Sequence, residues 1–257
     1  MARVARPPSV QPAYVLHSYD WSETSLILDL FTRELGRVTV AAKGAKRPYS
    51  QLRAVLLPFQ RVNVGLGKAA ATEDAAEVQT LRQAEWAGGV PMLSGAALFS
   101  GFYLNELLMK LLARHDPHPR LFDAYAATLP ALMREGEVEQ AALRAFELTL
   151  LSAIGLLPDL SIVTLGTGEL QPRRLYALRP EAGLVLLPHG EEAGCSGSAW
   201  ITLQAALQHG SMAALQSACV SVSAVLKPQL RTLLHYHLGS PQLRTRQVML
   251  DMQRLLD

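Results

Sequence analysis

The sequence predicts an α+β protein: a small N-terminal β-barrel, then a mainly α-helical domain with a small β-hairpin insertion. Three observations predict it. Short runs of β-forming residues, separated by polar or Gly-containing turns, fill residues 13–82. Beyond Pro91 the apolar residues recur at a helical period. Two short apolar runs flank Glu181-Ala-Gly183 inside an otherwise irregular stretch. With 257 residues, 49% of them hydrophobic, the chain has the material for two domains and a sizeable core.

Residues 1–12 hold Arg3 and Arg6 among prolines and read as a flexible leader without the apolar core of a signal peptide. Strands are expected at residues 13–18, 24–32 and 37–42. A fourth extended stretch covers residues 53–66, where Pro58 marks a bulge or an edge. Residues 77–82 close the set. Five strands in so short a span fit a barrel of the OB type, assigned to residues 13–84. The helical domain then occupies residues 85–257. Its first helix, 92–113, places Phe99, Tyr103, Leu107 and Leu111 at four-residue steps. A second follows at 121–134. A third, 139–154, aligns Leu143, Phe146, Leu150 and Ile154 on one face and stops at Gly155 and Pro158. Residues 160–198 are irregular apart from a hairpin pairing 175–178 with 184–187. Helical pattern returns at 202–208, 212–237 and 242–256.

Net charge is only +2, but it is unevenly distributed. From Arg33 to Lys68 eight basic residues face one acid, Glu34, which leaves +7. From Leu81 to Val222 nine basic residues face 13 acidic ones, which leaves −4. A basic segment in a near-neutral chain points to a local polyanion site. Its centre is the run Lys43-Gly-Ala-Lys-Arg-Pro-Tyr-Ser50, where Gly44 and Pro48 exclude regular structure. The candidate DNA-binding residues are Arg33, Arg37, Lys43, Lys46, Arg47, Tyr49 and Arg53. Lysine and arginine neutralise phosphates, and Tyr49 and Trp21 offer faces for base stacking. On charge alone an ordinary solvated loop explains the run equally well, and packing in a core or turn is the commoner fate of Trp21 and Phe59.

Other chemistries find little support. Cys195 and Cys219 stand 24 residues apart with no paired C-x-x-C spacing, so no metal site is expected. Gly166-Thr-Gly168 lacks the Gly-Lys-Ser/Thr of a phosphate-binding loop. No nucleophile elbow or zincin helix occurs, so no enzyme and no cofactor are predicted. Asp20, Glu23 and Asp29 are near in sequence, but strand alternation does not make them converge as a two-metal nuclease requires. No apolar run reaches the ~18 residues of a membrane span, and the expected compartment is the cytoplasm.

The stretches Tyr14-Val-Leu-His-Ser18, Trp21-Ser-Glu-Thr-Ser25, Leu28-Asp-Leu-Phe-Thr32, Gly36-Arg-Val38, Ala42-Lys-Gly-Ala45 and Leu57-Pro-Phe59 together resemble the RecO family of bacterial recombination mediators. The likeness resumes at Leu98-Phe-Ser-Gly-Phe-Tyr-Leu-Asn-Glu-Leu-Leu108, Leu143-Arg-Ala-Phe-Glu-Leu148, Gly155-Leu156, Leu226-Lys-Pro228 and Leu243-Arg-Thr-Arg246. The resemblance implies an OB barrel and a helical domain. It implies binding of single- and double-stranded DNA, annealing of complementary strands, and help in loading RecA onto strands coated by the single-stranded DNA-binding protein SSB. RecR is the implied partner, and the implied location is cytoplasmic, at the nucleoid. Arg144 matches the arginine that in some members receives the SSB C-terminal tail. An ion pair of Arg144 with Glu147 at i+3 is the structural alternative. Many members also carry a four-cysteine zinc module, but Leu160-Ser-Ile-Val-Thr-Leu-Gly166 has no cysteine, so this chain departs from that pattern. A protein-binding adaptor joining SSB and RecR, with only secondary DNA contact, is the alternative function.

Overall fold

The computed structural model describes residues 10–67, 78–166, 168–189, 191, 193–239 and 243–256. Lys68, Thr167, Gln242, the start of the predicted fifth strand and most of the leader lie outside the described residues. The chain divides into two compact units, one ending at Asp123 and the other beginning at Ala124.

The first unit is built on five strands: β1 (Val10–Asp20), β2 (Leu26–Thr32), β3 (Gly36–Ala42), β4 (Gln60–Leu66) and β5 (Val78–Gly89). They close in the order β1-β2-β3-β5-β4, with β3 and β5 parallel and the other pairs antiparallel. Closure gives each strand two neighbours along part of its length, which limits the edge open to foreign chains. Ala13, Val15, Leu28, Leu30, Val38, Val40, Val62 and Val64 fill the interior at alternate positions along their strands. The alternation fails on the other face of β2 and β3, where Asp29, Phe31 and Thr39 are also buried. That face is covered. The Phe122 ring stacks against Tyr14 and Phe31 at 5.2 and 5.4 Å, and Thr39 Oγ1 donates to Asp29 at 2.9 Å.

Two boundaries differ from those read in the sequence. β1 starts at Val10, so the supposed leader contributes its last residues to the barrel. Pro12 is tolerated because β1 there pairs with β4 alone, before β2 joins at Ala13. Residues 53–66 are not one strand. A single helical turn, α1 (Leu52–Val55), precedes β4, and the chain reverses through Phe59 at φ 66°.

After the barrel, α2 (Gly95–Leu111) packs on the first unit, with Asn105 Nδ2 donating to the Leu16 carbonyl at 3.0 Å. The close approach of β3 to the turn after α2 explains Gly36: at φ +69° its missing Cβ would lie 2.0 Å from the Asp116 carbonyl oxygen.

Helix α3 (Pro119–Leu132) leads into the second unit, whose centre is α4 (Glu137–Ala153), buried on nearly every side. Against it pack α6 (Met212–Val220) and α7 (Ser223–Leu238); α5 (Gly197–His209) packs on α6, and α8 (Arg244–Leu256) follows in the chain. The expected long helix from residue 212 is therefore two, broken at Ser221 and Val222. Ser196 and Ser211 cap α5 and α6 by accepting from Ala199 N and Ala214 N. The predicted hairpin forms as β6 (Leu175–Arg179) and β7 (Gly183–Leu186), joined by β8 (Cys195–Ser196). Gln229 ties α7 to this sheet, accepting from Leu178 N at 2.7 Å and donating to the Ala193 carbonyl at 2.9 Å. Among the described residues, no helix is long and apolar enough to cross a membrane.

Candidate nucleic-acid interface

The basic run after β3 is not a flexible loop. It is a chain of tight turns, with Ala45 N donating to the Ala42 carbonyl, Arg47 N to Gly44, Ser50 N to Arg47 and Arg53 N to Ser50. Gly44 takes a left-handed φ of +74°, and the Arg47 side chain lies over it. Ala45 is completely buried and belongs to the barrel core, which fixes the loop from beneath. Lys46 N donates to the Thr24 carbonyl at 3.0 Å, and Gly44 N to Ser25 Oγ at 3.4 Å. The basic loop is thus stitched to the β1–β2 turn that carries Trp21.

Lys43, Arg47 and Arg53 are exposed, and among the described residues no carboxylate pairs with them. Tyr49 is 99% exposed and Trp21 57%. Both rings therefore stand in solvent, whereas Phe59 is buried as core packing requires. Beside the loop opens a cleft of about 330 Å³ lined by Leu26, Ala45, Lys46, Leu52, Arg53 and Leu56. Its lining is apolar apart from Lys46 and Arg53, which suits a ligand with a flat apolar part and an anionic backbone.

The other predicted cations are not brought to this surface as open charges. Lys46 is paired with Asp20 at 3.0 Å. Arg33, in the β2–β3 turn, is held by two carboxylates: Nε and Nη2 donate to Asp123 at 3.1 and 2.9 Å, and Nη1 to Glu34 at 2.7 Å. The hydrogen bonds to Asp123, then to Glu34, raise its pKa further above the ordinary arginine value. Arg37 Nη1 donates to the Met109 carbonyl near the C-terminus of α2, where a cation complements the helix dipole. Its backbone carbonyl accepts from His115 N at 2.9 Å. Arg37 therefore fastens β3 to α2.

In the second unit, Arg144 lies inside. Its Nη2 meets Glu147 Oε1 at 2.7 Å, with side chains only 6% and 1% exposed. The i+3 pair foreseen from sequence is present, but in the interior rather than on the surface. Arg144 Nε has no hydrogen-bond partner among the described residues. Burial pushes the nearby Cys219 thiol up to about 12, with Arg144 opposing and Glu147 reinforcing the shift. Burial likewise lifts Cys195 to about 12. No group of three or more His, Cys, Asp or Glu placed to hold a metal occurs among the described residues. Asp29 instead accepts from Thr39, and Asp20 faces Lys46.

Sequence reading missed the cleft, whose leucines come from β2, α1 and the residue after α1 and carry no local signature. It also missed Trp86, 64% exposed, whose Nε1 donates to Gln60 Oε1 at 3.3 Å. Register shifts between Gln60 and Val62 and between Gly65 and Leu66 disturb the strand alternation that would have placed it.

Comparison with known proteins accounts for almost the whole chain. The family described as "Recombination protein O N terminal" matches residues 9–90, and "Recombination protein O C terminal" matches residues 92–247. DNA repair protein RecO of Verminephrobacter eiseniae is 53% identical over 247 residues, covering 95% of this chain and 96% of the relative. The protein of the same name from Polaromonas naphthalenivorans is 52% identical over 249 residues, covering 96% and 98%. That of Delftia acidovorans is 49% identical over 255 residues, covering 98% and 99%. The chain belongs to the RecO family of DNA repair and recombination proteins.

Proposed function

We propose that the chain is a non-catalytic recombination mediator that binds single- and double-stranded DNA at the barrel and anneals complementary strands. With RecR it helps load RecA onto SSB-coated single strands, in the cytoplasm at the nucleoid. The observation that carries the DNA-binding reading is the exposure of Lys43, Arg47 and Arg53, the last of them lining a largely apolar cleft, beside a turn presenting Trp21. Phosphates meet the cations, and unstacked bases meet Tyr49, Trp21 or the cleft lining. Base pairing then supplies the specificity. Arg33 and Lys46 contribute less, because carboxylates already hold them. Titration of a labelled single-stranded oligonucleotide at several salt concentrations tests this. Affinity should fall steeply with salt, and replacing Lys43, Arg47 and Arg53 by alanine should flatten the slope by roughly 0.7 for each phosphate that is no longer neutralised. Salt-independent affinity, or an unchanged slope in the variant, refutes the phosphate-led grip.

A second reading, the adaptor that receives the SSB tail, is favoured by one observation. Arg144 Nε–H is already desolvated and has no acceptor among the described residues. Spare donor capacity of this kind suits a terminal carboxylate. An SSB-tail peptide should bind the wild type and lose affinity for a folded Arg144→Lys variant, which keeps the charge but not the guanidinium fork. Equal binding removes Arg144 from the site.

A further inference from the structure

The ion pair at the cleft has two unequal halves. Asp20 ends β1 opposite Leu26, and Leu26 faces Ala42, where β3 gives way to the basic run. Leu26, Lys46 and Arg53 line the same cleft. Asp20 Oδ1 meets Lys46 Nζ at 3.0 Å, with side chains 80% and 31% exposed. The lysine is the fixed half. Its backbone N–H donates to the Thr24 carbonyl at 3.0 Å, and the residue before it, Ala45, is sunk in the barrel core. The carboxylate stands mostly in solvent at a strand end, just before the turn that carries Trp21. Arg33 shows what a firm pairing looks like in this unit: three hydrogen bonds to two carboxylates. Among the described residues, Lys46 is held at one point, by Asp20 Oδ1. A largely exposed one-point pair is weak and is screened by salt, so an anion arriving at the cleft can replace it.

We propose that Asp20 stands in for a backbone phosphate in the unbound protein, and that a single strand entering the cleft takes Lys46 from it. The inference rests on the DNA-binding reading of the basic loop and states how that site is tempered. Geometry permits the exchange without refolding. The bonds from Lys46 N–H to the Thr24 carbonyl and from Gly44 N–H to Ser25 Oγ hold the loop to the β1–β2 turn, and neither involves the Asp20 side chain. The ammonium therefore has an anion beside it in both states. What changes is the ion balance. A phosphate neutralised by Lys43, Arg47 or Arg53 releases its condensed counterion outright. A phosphate neutralised by Lys46 releases one too, but the freed Asp20 carboxylate draws a cation back to itself. Asp20 thus lowers the affinity for a strand and flattens its dependence on salt. It also stands ready to reclaim the ammonium as the phosphate departs, which speeds release of the strand.

Titration of labelled poly-dT at several salt concentrations, with the full-length chain, tests this. The variants are Asp20→Asn and Asp20→Ser, each alone and combined with Lys46→Ala, together with Lys46→Ala by itself. Lys43→Ala/Arg47→Ala/Arg53→Ala serves as the control on the loop, and circular dichroism confirms that each variant is folded. Either Asp20 variant should bind about two- to fivefold more tightly than wild type at moderate salt. Each should also steepen the salt slope by up to about 0.7, the share of one phosphate. Both gains should vanish in the Lys46→Ala background, because Lys46 is the group that Asp20 restrains. A folded Asp20 variant with wild-type affinity overturns the proposal. So does a gain that persists without Lys46, which would make Asp20 a distant repulsive charge. A gain with an unchanged slope would assign the effect to a shifted Trp21 turn and overturns it as well. A triple loop variant that binds poly-dT like wild type refutes the loop reading instead, and the Asp20–Lys46 double-mutant cycle still decides this one.

Discussion

The two ends of the basic segment differ in what their charges are free to do. After β3, Lys43 and Arg47 project from a loop whose backbone is consumed by its own turns and Arg53 from α1, and no described carboxylate meets them. Around the β2–β3 turn, Arg33 and Arg37 lie within ten residues of Lys43 in sequence, yet Asp123, Glu34 and the Met109 carbonyl already hold them. Arg144 in the second unit carries the contrast further, with a guanidinium removed from water and balanced by Glu147. A run of cations in sequence therefore measures potential charge, and folding decides how much remains for a ligand. The +7 of this stretch overstates the open charge because the acid that neutralises Arg33 sits 90 residues away.

The largest effect should come from breaking the interior pair. Arg144→Ala leaves Glu147 buried without its countercharge and should cost about 3–5 kcal/mol in urea unfolding. Arg144→Met with Glu147→Leu should recover most of it, and a double variant as unstable as the single would show that the charge itself is needed. Gly36→Ala should cost about 1–3 kcal/mol, since a side chain there meets both a left-handed φ and the Asp116 carbonyl. At the open end of the comparison, Lys43→Ala/Arg47→Ala/Arg53→Ala should weaken single-stranded DNA binding about tenfold at moderate salt, while unfolding shifts by no more than about 0.5 kcal/mol per site. Arg33→Ala should leave DNA affinity within about twofold of wild type, because its charge is already answered by carboxylates. A loss as large as that of the loop variant would erase the distinction between the two ends.

The cysteines give a pH counterpart. Their thiols, pushed up to about 12, hold protons more tightly in the folded chain than in the unfolded one. Their contribution to stability is thus complete below the unfolded value near 9 and declines as pH rises toward about 12. At pH 8 neither should react with a thiol reagent until the protein is unfolded.

Much of the architecture was legible because it rests on periodicity. The strand-rich opening, the shift to a helical period beyond Pro91 and the hairpin around Gly183 all reflect local patterns of burial. Errors arose where tertiary contact outweighed local pattern. Leu52–Val55 form a helical turn because that turn sets Leu52 and Val55 against the barrel core. Pro12 enters a strand because only one neighbour pairs there. The site was legible in residue type but not in availability. No local feature marks Arg37 as a fastener for α2, or Leu26, Leu52 and Leu56 as the lining of one cleft. The exposure of Trp21 follows from a turn whose partner, the basic loop, lies some twenty residues further along.

Ala45 gives the basic loop a mechanical property beyond its charge. One methyl group, sunk among the barrel side chains, acts as a rivet in the middle of the cationic run. Lys43 and Arg47 flank it and inherit the stiffness of the strands below. Little chain entropy remains to be lost when a polyanion docks, so the grip should owe its strength to electrostatics and scarcely at all to folding upon contact.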